Sequence, residues 1–550
     1  MVTDELAALV SRALDQAKAD GVVAEDGVEV TFERPRRPEH GDWATSVALS
    51  LGRSGANPRA IAEAIVQRLP SSDLVAEVEI AGPGFLNFRL SPTWLHEVVR
   101  RASDPAAAFG RSPRTGEKIN VEYVSANPTG PVNVVSGRHA AVGDSIANLL
   151  DAAGHDVTKE FYINDAGRQA TLFGESIAAR YVQSFGKQAT IPEGGYQGEY
   201  VKDIAEAIKA EVGDSLIESL PAELNEQMRR RGLELMLREM KASLERFGTH
   251  HDVWFSEQTL HQKAEVPDAV ERLRVGGHTY EADGALWFRS SELGDDKDRV
   301  LMRANGEPTY IAADSAYLLD KFGRGFDRLI YLWGADHHGA VARLKAAARA
   351  LGFDPATVEI AIVQIVTLSS GAESLKGSKR AGVIVKLDDL VDEVGADAAR
   401  YTFLTRSIDA HLDFDVAAVK EQAPENPVYY VQYAHARICS ILAKAAAERH
   451  VPNVGQAPLE LLSHDSEDQL MRKLASYEEE IPMAAERRAP QRITRYLEEL
   501  AADFSAFYRD CRVVSDDAAL TQARLALCVA TRSVIADGLG LLGVSAPERM

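Results

Sequence analysis

The chain has 550 residues, with 61 lysines and arginines against 82 aspartates and glutamates, a net charge of −21. This balance excludes a protein that coats nucleic acid by bulk positive charge, and leaves room for an enzyme whose cations are gathered on one face. Hydrophobic residues at 45% and charged residues at 26% exclude extensive disorder, and the length corresponds to about three to four domains.

Cys439, Cys511 and Cys528 lie far apart with no CxxC pair, which excludes a disulfide scaffold and a thiolate zinc site and fits a reducing compartment. The acidic start Met1–Glu5 has no apolar region behind it, and no apolar run approaches bilayer length. The expectation is a soluble, cytoplasmic chain.

Residues 3–20 carry apolar positions at helical spacing. Residues 28–52 read as strand, rigid Pro/Arg loop and helix; a further helix at 57–69 leads into two strand runs at 75–90, broken by Pro83-Gly84. These elements predict an α+β domain over 1–105, with 103–116 as linker. From Lys118, KINVEYVS predicts a buried strand, ANPTGP a turn, and 137–153 a helix, the opening unit of a doubly wound α/β domain. The pattern returns in the strand and loop DRLIYLWGADHHG (327–339), the helix AVARLKAAARAL and a strand at 358–368. Between the halves, about 170–300, lies a long insertion, helical over 200–247 and then strand-like. From Asn426-Pro427 the pattern is helical, with further helices at 465–483, 490–510 and 518–540, an all-α helical bundle over 416–550.

Four segments carry candidate chemistry. Asn127-Pro128-Thr129-Gly130-Pro131 stands between a strand and a helix start, which suits phosphate binding or a plain turn. Lys376-Gly377-Ser378-Lys379-Arg380 is either solvated surface or a cationic loop that can swing over a triphosphate. Asp336-His337-His338 lacks the spacing of a metal site and reads as capping or ligand-orienting; His250-His251 reads as surface. Tyr310 and Asp314, four apart, are either a structural cap or a clamp for a cationic ligand. On the first helix of the bundle, Tyr430, Tyr433 and Arg437 share a face, either packed between helices or stacking unpaired bases. Arg487, Arg488, Arg492 and Arg495, and Arg229 to Arg231, are further basic clusters.

Together these segments resemble arginyl-tRNA synthetases, class I aminoacyl-tRNA synthetases, nearly end to end. RPRRPEHGDWAT (34–45) and AGPGFLNFRL (81–90) resemble the family's N-terminal domain. VEYVSANPTGP (121–131), FYINDAGRQ (161–169), DDKDRVL (295–301), GADHHG (334–339) and KRAGVIVKLDDL (379–390) resemble its catalytic core. NPVYYVQYAHAR (426–437) and APERM (546–550) resemble its anticodon-binding domain. The resemblance implies a Rossmann-type catalytic domain over 110–415, and an arginine–tRNA ligase that forms arginyl-adenylate from L-arginine and ATP and transfers arginine to the 3′ end of tRNA(Arg). It implies ATP as a substrate accompanied by Mg2+, no tightly bound cofactor, no protein metal site, no membrane partner and a monomer.

By the same resemblance, Lys376 and Lys379 offset the charge of the leaving pyrophosphate. Pro128, Thr129, Gly130, Pro131, Asn133, Val134, Val135, Ser136 and Ser378 receive ATP. Glu122 and Asn127 hold the amino and carboxyl end of arginine, with His337 nearby, and Tyr310 and Asp314 take the guanidinium. Arg36, Tyr430, Tyr433 and Arg437 contact tRNA. The chain departs from the family at its first signature, His-x-Gly-His, where it has Asn133-Val134-Val135-Ser136, and Gly377 replaces Met in the second. Asn133 and Ser136 remain short polar groups able to donate to phosphate oxygens, and His139 is an imidazole close by in sequence. These departures motivate the alternative of a catalytically impaired paralogue that binds tRNA or arginine as a regulator. Asp314 argues against a synthetase for an uncharged amino acid. The acidic balance predicts a narrow basic track on a negative body.

Overall fold

A computed structural model of the chain describes residues 2–23, 28–35, 37–52, 56–370, 373–375, 385–421, 423 and 425–550. Its central sheet has five parallel strands. In chain order they are Lys118–Glu122, Asp156–Ile163, Val253–Ser256, Arg328–Gly334 and Val358–Val363. Their order across the sheet is third, second, first, fourth, fifth, which is the doubly wound arrangement. The third strand comes from inside the 170–300 stretch, so that stretch is not a pure insertion. Its helices Arg168–Gln183, Glu199–Val212 and Pro221–Arg246 form a long crossover that returns the chain to the sheet. The strand is four residues long and only half-buried, so its sequence signal is weak.

Two other expectations change. The strand expected over 358–368 breaks after Val363. Val366–Ser370 leaves for a separate three-stranded sheet, parallel to Leu412–Asp415 and antiparallel to Glu373–Leu375. In the N-terminal domain the three strands are Trp43–Thr45, Val75–Ala81 and Phe85–Leu90; before them Glu33 makes a lone bridge to Ala44 where a strand was expected. This domain has its own core, including Leu6, Val10, Trp43, Ile61 and Phe88. Within the bounds 1–105, the chain also forms a helix, Pro92–Ser103, which the sequence reading did not name and which buries Leu95, Val98 and Val99 in the large core shared by the sheet and the helical bundle. The helix predicted over 465–483 is two helices, Asp465–Ala475 and Tyr477–Glu486, meeting at Ser476.

Local chemistry explains where helices begin. Asn57 accepts from Arg59 N at 3.0 Å ahead of Pro58, and Asp517 caps Ala518–Leu541 through the amides of Ala519 and Leu520. The helix Val134–Ala152 crosses the sheet so closely that a Cβ at Gly143 would stand 2.3 Å from the Tyr123 ring. Against Tyr123, the His251 ring packs tilted by 30° with centroids 4.3 Å apart instead of lying at the surface, and burial pushes its pKa down to about 4.

The catalytic unit and the bundle are joined by a buried guanidinium. Arg400, fully buried, donates to Asp144 Oδ2 at 2.6 Å, to the carbonyls of Phe247, Gly248 and Leu542 at 3.2, 3.0 and 3.1 Å, and to Thr249 Oγ1 at 2.7 Å. Lys159 also donates to Asp144, at 2.7 Å. Burial alone would raise the Asp144 pKa; Arg400 and Lys159 reverse this and hold it below its ordinary value. Removing one partner of such a set leaves buried acceptors and a buried charge unsatisfied. Arg400→Met is therefore expected to lower stability by about 3–5 kcal/mol, read as a lower urea midpoint. An unchanged midpoint would show that the joint is held by apolar packing alone.

Candidate active site

The order of the sheet reverses between Lys118–Glu122 and Arg328–Gly334, and ligands of such sheets bind outside the carboxyl ends at that point. Glu122 ends the first of these strands, 5% exposed. The two residues after Tyr123 are left-handed, Val124 at φ 69° and Ser125 at φ 40°, a strained conformation for a β-branched residue. The bend brings Ser125 Oγ to 3.0 Å from Glu122 Oε1 and to 3.2 Å from the amide of Tyr162, which donates to it.

Asp314 lies one turn below Tyr310, which opens the helix Tyr310–Gly323 and is 72% exposed. Its carboxylate is 3.8 Å from Arg343. Burial raises the Asp314 pKa to about 7; Arg343 lowers it, and the nearby carboxylates Glu257 and Glu122 raise it further. Glu257, which shares a hydrogen bond with the buried Tyr162 phenol, is also raised, first by burial. Glu122 and Glu257, from two distant segments, thus lie close enough to act on Asp314, and the three carboxylates together are suited to a delocalised cation. The sequence showed no sign of Glu257; its one signal was position, immediately after a strand of the sheet.

The structure groups Glu122 with Asp314 and Glu257. Asn127, expected beside it, donates to Gln169 Oε1 at 2.7 Å. His337 and His338 sit in a 3₁₀ turn, Ala335–Ala340, ahead of the helix Val341–Ala350. His337 is exposed, 3.7 Å from Asp336 and with its ring 6.1 Å from that of Trp333.

At the start of the helix Val134–Ala152, Asn133 is the N-cap and its Oδ1 accepts from Ser136 N at 2.9 Å. The amide of Val134 donates to Val385 O at 3.2 Å, and Asn133 bridges Lys386. The first turn is therefore not an open anion cradle. The Asn133 amide group, the Ser136 hydroxyl and exposed Val135 are what it offers, while the Val134 side chain is buried. Pro128 and Thr129 are also buried, Tyr200 OH donating to Thr129 O at 2.9 Å, and it is this phenol that lies against Gly130. Pro131 is half-buried. His139 is buried and burial pushes its pKa down to about 4, so it is a neutral interior group and not a replacement for an exposed histidine. Lys376, Ser378, Lys379 and Arg36 lie outside the described residues.

On the helix Pro427–Ala447, Arg437 is stacked over Tyr433 at 4.6 Å and Tyr508 at 5.4 Å, and Tyr429 stacks on Tyr433 with centroids 6.0 Å apart. Tyr433 and Tyr508 are exposed. Tyr430 is turned inward, packed on the core with its hydroxyl 3.4 Å from Ser505 Oγ. The platform thus runs through Tyr429, Tyr433 and Arg437, with Tyr508 added from the neighbouring helix. Other cations of the expected track are ion-paired within the chain: Arg34 with Glu479, Arg488 with Glu359, Arg492 with Glu480, Arg229 with Glu226, Arg231 with Glu211, and Arg495, which stays mostly exposed, with Glu499.

Three family models match consecutive stretches of the chain: arginyl tRNA synthetase N terminal domain over residues 4–90, tRNA synthetases class I (R), catalytic domain over 106–409, and DALR anticodon binding domain over 431–550. An arginine–tRNA ligase of Moorella thermoacetica is 48% identical over 551 residues, covering 99% of this chain and 98% of that protein. One of Carboxydothermus hydrogenoformans is 46% identical, covering 100% and 99%. The arginyl-tRNA synthetase structure of Thermus thermophilus shares the fold at a TM-score of 0.77 with 24% identity, covering both chains in full.

A pocket whose central carboxyl has a pKa of about 7 binds a cation more tightly as pH rises, since the cation selects the ionised form. Arginine affinity measured by calorimetry is expected to increase about tenfold between pH 6 and pH 8 and to level off above. Asp314→Asn should weaken binding and flatten this profile. A flat profile in the parent protein would show that Asp314 is ionised throughout or makes no contact with the ligand.

Proposed function

This chain belongs to the arginyl-tRNA synthetase family and is an arginine–tRNA ligase, and from that premise we propose how its residues divide the work. The relatives matched over their full length are ligases, which supports this activity and not the regulatory alternative. The observation that carries the assignment of the site is the grouping of Asp314, Glu122 and Glu257 by the switch point of the sheet.

Asp314 and Glu122 take the guanidinium, with Tyr310 at the rim. A planar carboxylate–guanidinium pair rewards arginine over lysine, whose ammonium cannot make the same two parallel bonds. Asn127 and His337 lie toward the amino and carboxyl end. The carboxylate oxygen of arginine then forms its bond to the α-phosphorus of ATP as the bond to pyrophosphate breaks, so the protein's task is alignment and charge compensation. ATP enters with Mg2+ as its companion. The Asn133 amide and Ser136 hydroxyl donate to the triphosphate beside the Pro128–Pro131 turn, and Lys376 and Lys379, with Ser378, meet the leaving pyrophosphate. Val385, which accepts from the amide of Val134, brings the chain after that segment to the start of the helix Val134–Ala152.

In the second step a terminal ribose hydroxyl of the tRNA attacks the activated carbonyl and AMP leaves. The anticodon loop lies on the platform of Tyr429, Tyr433, Arg437 and Tyr508, and Arg36 contacts tRNA from the N-terminal domain. The three unpaired cysteines fit a cytoplasmic protein, which acts as a monomer.

Arginine-dependent ATP–pyrophosphate exchange in the presence of tRNA tests the whole reading. Absence of exchange at saturating ligands would sink it. Asp314→Ala is expected to lower kcat/KM for arginine by roughly 100-fold, as for loss of one partner of a desolvated charge pair, with the KM for ATP little changed. Arg437→Ala should raise the KM for tRNA and reduce its salt dependence; an unchanged value would remove the platform from the tRNA path.

A further inference from the structure

Lys321 is a fully buried lysine of the helix that carries Tyr310 and Asp314. Positions 310, 314, 317, 321 and 324 are spaced by four and three residues, so they share one face. Tyr310 and Asp314 occupy its open end, Tyr317 and Lys321 are buried further along it, and Arg324 closes it at the surface. The ammonium donates to Glu122 Oε2 at 2.7 Å, stands 3.8 Å from Glu160, and lies over the rings of Tyr331 at 4.1 Å and Tyr317 at 4.4 Å.

Glu160 is already satisfied by others. Arg324 donates to both of its oxygens at 2.6 and 2.9 Å, Asn120 to one at 3.1 Å, and Tyr317 to the other. Among the described residues the hydrogen bond of Lys321 is therefore to Glu122. Burying an ammonium is costly, and an apolar residue of similar length would satisfy the packing alone. What the cation adds is a fixed charge beside one carboxylate of a pocket that holds three.

We propose that Lys321 is a positioning residue for arginine recognition: it holds Glu122 in one orientation through Oε2, leaving Oε1, supported by Ser125, for the substrate cation. Lys321 touches neither arginine nor ATP; it acts through Glu122. It also offsets one of the negative charges of Glu122, Glu257 and Asp314, which without it repel one another. This inference rests on the assignment of Glu122 to arginine made above.

The test is a double-mutant cycle in the full chain, with tRNA-dependent pyrophosphate exchange read separately for arginine and ATP. Lys321→Met is expected to raise the KM for arginine by ~10-fold or more, with the KM for ATP within about twofold, and Glu122→Gln to raise the arginine KM similarly. The combination Lys321→Met with Glu122→Gln should be no worse than Glu122→Gln alone, because the lysine has nothing left to act through. Multiplying effects, or equal losses toward both substrates, would make Lys321 a structural residue and overturn the proposal. An unchanged arginine KM in Glu122→Gln would instead remove the premise, a result distinct from the first. Should Lys321→Met fail to fold, the double variant buries no unpaired charge, and its comparison with Glu122→Gln decides alone: equal arginine KM values support the proposal, and a further rise overturns it.

Discussion

The Arg400 guanidinium is the point through which the parts of this molecule are held in one register. It is fully buried and satisfied on three sides by different segments: Asp144 from the helix that begins at the active site, the end of the long crossover at Phe247–Thr249, and Leu542 near the chain's end. A guanidinium offers five donors in one plane, and few other groups could join so many carbonyls at once. Around it the apolar core runs without a break from the sheet into the bundle, through residues such as Ile146, Phe403, Leu500 and Leu539. The C-terminal tail is tied in the same way, with Gln432 and Asp397 both bonded to Ser545, and His435 to Pro547 O. The catalytic unit and the bundle that carries the aromatic platform therefore cannot move apart without exposing charge.

The same physics shapes the pocket. Glu122 and Glu257 are largely shielded from water, Asp314 stands partly exposed beside them, and its pKa is raised to about 7. Lys321 and Arg343 offset only part of this negative charge. Lys321, Glu160 and Arg324 continue this alternation of charge beneath the pocket.

Charge also organises the contacts between the N-terminal domain and the bundle. Glu478, Glu479 and Glu480 stand in the first turn of Tyr477–Glu486, where the helix dipole favours anions, and they receive Arg101, Arg34 and Arg492. Arg34 also stacks on Trp43 at 4.7 Å. Arginines that look in the sequence like an RNA-binding track are thus partly structural, which leaves fewer cations free for nucleic acid than the basic clusters suggested. The surplus of acid is consistent with this: many carboxylates serve as internal acceptors.

The elements with strong local signals were legible in the sequence. Strand, turn and helix at Lys118–Ala152 follow from an apolar run, a Pro/Gly turn and helical spacing, and the capping residues Asn57 and Asp517 act within three residues of themselves. Tyr310 and Asp314 were legible as a pair because a helix repeats every 3.6 residues. What only the tertiary structure decided depends on contacts between distant segments. Glu257 joined the pocket because a weak edge strand places it there, and Lys321 was indistinguishable from a surface lysine. Tyr430 and Tyr429 exchanged roles because a helix face is defined by its neighbours. Spacing along the chain determines which side chains share a face; which face is buried, and which charges must then be paired, is set by the packing of elements far apart in sequence.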